Sequence, residues 1–106
     1  MEAQGINGKL IFGEGFIEIV RKGFMAFATH GFKGNKKIAL KHISAIQFKS
    51  AGLMANGYIQ FSFIGGQESK RGILMATQDE NTIMFNKKQQ PEFEKIKEQI
   101  EKKIYS

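Results

Sequence analysis

Two runs of alternating side chains on either side of an Asn-Gly pair constrain this chain more than any other feature. They lie within Lys41 to Gly66, KHISAIQFKSAGLMANGYIQFSFIGG. In Ser44 to Lys49, Ile46 and Phe48 fall on one face and Gln47 and Lys49 on the other. In Tyr58 to Phe63, Ile59, Phe61 and Phe63 share a face that Gln60 and Ser62 oppose. Successive side chains on a strand point to opposite faces, so this period of two is what a half-buried antiparallel strand requires. With Asn56-Gly57 between the runs, the stretch is the clearest hairpin in the chain.

The flanking sequence extends the β pattern in both directions. Residues 1–8, with Gly5 and Gly8, read as a loose N-terminus, and Lys9 to Phe12 begins a first strand. Gly13-Glu14-Gly15 supplies a turn into a second strand, Phe16 to Lys22, with Ile17 and Ile19 facing one way and Glu18 the other. The segment 23–35, within GFMAFATHGFKGN, fits neither period: Phe24, Ala26 and Ala28 share a strand face, whereas Phe24, Phe27 and Ala28 share a helical one. It is expected to be an irregular insertion or a helix of one or two turns. Lys37 to Lys41 resumes strand, and His42-Ile43 bends into the hairpin. Beyond it, Gly65 to Gly72 reads as a polar loop. Ile73 to Ala76 and Asn81 to Asn86 then form a last hairpin across Gln78-Asp79-Glu80, with Ile83 and Phe85 facing the core.

The period then changes. Phe93, Ile96, Ile100 and Ile104 recur at spacings of three and four, which makes one apolar stripe on a helix over 91–104. Pro91 suits a first helical turn, and Glu92 and Glu94 at the start with Lys102 and Lys103 at the end follow the helix dipole. The whole is a mainly β domain of about seven antiparallel strands, a meander over 9–86, closed by one C-terminal helix.

The 106 residues suffice for one domain with a modest core, and ten Phe supply large side chains to fill it. The absence of cysteine excludes disulfides and thiolate metal sites and fits a reducing cytoplasm. Met1-Glu2-Ala3-Gln4 is acidic and polar, so no signal peptide is expected. No apolar run approaches the roughly 20 residues that cross a bilayer as a helix. The net charge of +6 is unevenly placed. Between residues 19 and 67 stand Arg21, Lys22, Lys33, Lys36, Lys37, Lys41 and Lys49 with no acid at all. Such a field attracts polyanions: nucleic acid, anionic lipid or an acidic protein surface.

A meander of short strands followed by one amphipathic helix resembles the pleckstrin-homology-like roll, in which the final helix caps one corner of a barrel. Several stretches carry the likeness further. They are His42 to Phe48, Asn56 to Phe61, Gly65-Gly66 with Glu68-Ser69, and Asp79 to Thr82 with Phe85. They resemble a family of small bacterial and phage pleckstrin-homology-like domains, over roughly Lys9 to Ile100. The resemblance implies a binding or assembly module and brings no catalytic residues with it. Members of that family are often followed by a short helical oligomerisation segment, which does not appear before Ser106. The basic first loop with which eukaryotic relatives hold phosphoinositides corresponds here to Gly13-Glu14-Gly15, which is short and acidic.

Catalysis finds no support in the residues. His30 and His42 have neither a cysteine nor a neighbouring acid in sequence, Asp79-Glu80 reads as a solvated turn, and Gly65-Gly66 lacks the lysine and helix of a phosphate loop. No enzyme activity, cofactor or metal is therefore expected. The candidate binding residues are Arg21, Lys22, Phe24, Met25, Phe27, Phe32, Lys33, Lys36 and Lys37, where apolar rings stand between basic flanks. That composition suits a protein interface, self-association included, for which Phe and Met are favoured. It also suits an interfacial wedge on an anionic membrane, and the same rings would equally serve to complete the core. Nucleic acid is the third alternative, weakened because most Phe occupy core-facing strand positions rather than stacking platforms. Sheet edges near Ile38 to Leu40 or Tyr58 to Ile64 offer a second route to self-association. The sequence thus points to a cytoplasmic binding or oligomerisation module, with the inner membrane face as the alternative location.

Overall fold

The computed structural model describes residues 1–21, 35–64 and 81–105. Within them, seven antiparallel strands make two sheets. The first runs in the order β1 (Glu2–Gln4), β2 (Gly8–Gly13), β3 (Phe16–Arg21), β4 (Asn35–Ala39). A 3-10 turn over Leu40–His42 leads to the second, ordered β5 (Ile43–Lys49), β6 (Gly57–Phe63), β7 (Thr82–Phe85). The chain then forms helix α1 (Gln90–Ile104). The mainly β class with a closing helix is as the sequence reads. Among the described residues the two sheets stay open and make a roll, for which barrel is too strong a word.

The alternation seen in the sequence is spent on one core. Leu10, Ile17 and Ile19 of the first sheet, Ile59, Phe61, Ile83 and Phe85 of the second, and Phe93, Ile96 and Ile100 of α1 are all buried together. Burying each such side chain is worth about 1.5–3 kcal/mol, so this cluster outweighs any polar contact in the domain. Phe85 ties the second sheet to the helix: its ring stacks on Phe93 with centroids 4.7 Å apart and tilts against Phe48 at 5.3 Å. The helix is led in by a reciprocal pair. Asn86 Oδ1 accepts from the Gln89 backbone N–H and Gln89 Oε1 from that of Asn86, both at 2.9 Å, in the manner of a capping box.

Three expectations need correction. The N-terminus is not loose: Glu2–Gln4 pairs with β2, Ala3 is only 1% exposed, and the Phe12 N–H donates to the Met1 carbonyl at 2.8 Å. Tyr58 to Ile64 is not an edge, because β6 lies between β5 and β7. Its second face is closed at its centre, between half-buried Tyr58 and Ser62. Gln60, placed by alternation on the open side, is 2% exposed and donates to Thr82 Oγ1 at 2.9 Å. The third concerns Asn56-Gly57. The hairpin exists, with Lys49 opposite Tyr58 and Phe48 opposite Ile59, but its connection is the longer loop 50–56. Gly57 is already the first residue of β6. It is glycine because a Cβ there would run into the Lys49 carbonyl and, at 2.6 Å, the Ala51 nitrogen. The first hairpin does turn as the sequence reads, through Glu14-Gly15 with Gly15 at φ 80°. The expected insertion 23–35 and the strand Ile73 to Ala76 lie outside the described residues, except that Asn35 opens β4.

Substituting Gly57, just after the loop 50–56, and Gly52, within it, separates a crowded glycine from an uncrowded one. Gly57→Ala is expected to cost about 1–3 kcal/mol in denaturant unfolding, because the backbone of Lys49 and Ala51 and the Phe85 ring must give way. Gly52→Ala meets nothing within 4 Å and is expected to change stability by no more than about 0.5 kcal/mol.

Candidate functional site

The candidate residues upstream of the hairpin are only partly open to description. Lys22, Phe24, Met25, Phe27, Phe32 and Lys33 lie outside the described residues, as do His30, Gly65-Gly66 and Asp79-Glu80. Arg21, Lys36 and Lys37 are described, and the register of β3 against β4 decides where they go. Ile19 faces Lys36 and Ile17 faces Ile38, so Lys36 stands on the core side of the sheet, as Arg21 does by its spacing from Ile19. Lys37 faces Glu18 on the opposite side.

Each lysine is held by an aromatic ring. Lys36 is half-buried with its ammonium 4.8 Å from the centroid of Phe63, and Lys37 is exposed with its ammonium 4.8 Å from that of Phe16. Glu18, opposite Lys37 in the register, accepts from Asn35 Nδ2 at 2.8 Å through Oε2. Adjacent lysines on a strand therefore serve two surfaces. The described part of the basic stretch does not form one continuous patch.

For chemistry the described residues offer little. His42 is exposed in the 3-10 turn. Among the described residues there is no group of three or more His, Asp or Glu placed to hold a metal ion.

Two other features stand out, and periodicity reached neither the edge position of the first nor the exposed tip of the second. The first is β5, which is an edge strand among the described residues. Ser44, Ala45 and Gln47 are exposed along it, and Lys49 at its end is its one charged residue. A strand edge without interior charge or proline is a template for further pairing. The second is the loop 50–56, whose tip carries Leu53 and Met54 at 90% and 97% exposure. The loop is fixed at its base: the Ala51 N–H donates to Gln90 Oε1 at 2.7 Å and the Gly52 N–H to the Ala55 carbonyl at 2.8 Å. The sequence AGLMA shows neither a period of two nor one of 3.6, so its two large side chains had no face to be assigned to. Only the polar and glycine residues around them marked a loop.

A family model described as a domain of unknown function (DUF4429) matches residues 11–101. No curated protein and no solved structure matches the chain.

The differing settings of the two lysines predict different costs. Lys36→Ala loses a half-buried stem and its contact with Phe63 and is expected to lower stability by about 1 kcal/mol. Lys37→Ala, at an exposed position, is expected to stay within about 0.5 kcal/mol of the parent. Thermal unfolding of the two variants side by side checks this.

Proposed function

From the premise that the chain belongs to the DUF4429 family, we propose that it is a non-enzymatic binding module of pleckstrin-homology-like type, whose partner is protein and in the first place a second copy of itself. A strand meander closed by a C-terminal helix supports the pleckstrin-homology-like reading. The observation that carries the association is the edge of β5. Seven residues long, it presents its outer backbone groups with no charge before Lys49. The irregularity between Ile43 and Ala45 leaves Ala45 to Lys49 as the regular pairing segment. A partner strand laid there takes backbone hydrogen bonds for affinity and alternate side chains for specificity. With a second copy the pairing is antiparallel about a two-fold axis, which closes the assembly at a dimer.

The cytoplasm remains the compartment in this reading. No described helix is long and apolar enough to cross a membrane. Nucleic acid draws less support, because Lys36 and Lys37 stand on opposite faces of β4 and so do not line one groove. No catalytic, cofactor or metal residues are assigned.

Light scattering after gel filtration tests the proposal. The parent chain is expected to run at a multiple of its 12.0 kDa mass, and Ala45→Lys with Gln47→Lys to return it to 12.0 kDa with unfolding unchanged. A parent mass of 12.0 kDa at all concentrations, with no protein partner captured through β5, would contradict it.

A further inference from the structure

We propose that the loop 50–56 is a wedge for an anionic membrane surface, in which Leu53 and Met54 enter the headgroup region while Lys49, Lys87 and Lys88 meet lipid phosphates. This site adjoins the β5 edge, with which it shares Lys49, but it does not rest on the self-association reading.

Exposure, rigidity and charge support it. Leu53 and Met54 are the two most exposed large apolar residues described, and they are adjacent at the tip of a loop rather than set in a flat patch. The loop is held at three points. Its base is pinned to α1 through Gln90, its turn is closed by Gly52 and Ala55, and Lys49 Nζ donates to the Asn56 carbonyl at 3.4 Å. A loop held in its binding conformation loses little further entropy when it inserts. Two protruding side chains would need a matching socket on a folded partner, whereas a bilayer accepts them as they are.

The charges around the tip favour an anionic surface. Gly57 pairs with Phe85, so the turn after β7 lies beside the loop and brings Lys87 and Lys88, both exposed, to the same end as Lys49. Between Lys41 and Ile64 there is no acid. Among the described residues the first turns of α1 bring the acids Glu92 and Glu94, and Glu94 already accepts from Gln90 Nε2 at 2.9 Å. Apolar tips combined with lysines that reach phosphate are the two-part requirement for reversible attachment to an anionic bilayer.

The chain contains no tryptophan, so Leu53→Trp makes position 53 the sole source of tryptophan fluorescence. With vesicles of equal parts phosphatidylglycerol and phosphatidylcholine at low salt, its emission is expected to shift to the blue and to be quenched by brominated lipid. Vesicles of phosphatidylcholine alone should leave it unchanged. In co-sedimentation, Leu53→Ser with Met54→Ser is expected to weaken binding roughly tenfold or more, the loss of two apolar contacts. Lys87→Glu with Lys88→Glu should abolish the preference for anionic vesicles. Emission unmoved by anionic vesicles overturns the inference. So does a blue shift that grows with protein concentration in their absence, which would seat the tip on another protein copy. So too does binding that survives the loop variant but is lost in Phe24→Ser with Phe27→Ser.

Discussion

The two sheets of this domain, which share one core, are joined backbone to backbone by the three residues that leave β1. Gly5, Ile6 and Asn7 run along the free edge of β7 and act as its missing neighbour. The Ile6 N–H donates to the Met84 carbonyl at 2.7 Å, Asn7 Oδ1 accepts from the Met84 N–H at 2.8 Å, and Asn7 Nδ2 donates to the Thr82 carbonyl at 3.2 Å. Such close passage depends on glycine: a Cβ at Gly5 would meet Ile83 Cγ2 at 2.6 Å and the Met84 carbonyl more closely still. Each buried polar group left without a partner costs about 1–3 kcal/mol, so the carboxamide of Asn7 matters more than its small size suggests.

The rest of the layout follows from that seam. With β7 sealed on its outer side and Phe85 stacked on Phe93, the helix is committed to the core and to β1. Among the described residues the second sheet is left with its remaining edge at β5. The same arrangement sets the start of α1 against Ala51, which fixes the base of the loop that holds Leu53 and Met54 outward. The two surfaces proposed for function, an edge strand and an adjoining apolar tip, are therefore consequences of how the sheets are joined. The elements that build the core have little left to offer a partner.

Most of the framework was legible because burial imposes a period. Ile17 and Ile19, Ile59 and Phe61, and the stripe Phe93, Ile96, Ile100 all sit where alternation or helical spacing puts them. β1 was illegible because only Ala3 of its three residues is buried, too short a run to show a period. Gln60 misled because alternation assumes that the face opposite the core is solvated, whereas Gln60 is buried there against Thr82 between half-buried Tyr58 and Ser62. Gly57 was noticed for the wrong reason, since sequence cannot distinguish a glycine that turns from one that makes room. The site was read from composition alone, which has no geometry. It grouped Lys36 with Lys37, which the strand then separated, and passed over Leu53 and Met54.

Residue-resolved hydrogen exchange at Met84 tests the seam most directly. If Asn7 and Ile6 complete the second sheet, the Met84 amide exchanges as slowly as the amides of Ile59 and Ile83 in the core. In Asn7→Ala that protection falls at Met84 and along β1 and β2 together, because one contact serves both sheets. A Met84 amide that exchanges as fast as those of Leu53 and Met54, or one indifferent to Asn7→Ala, would contradict the account.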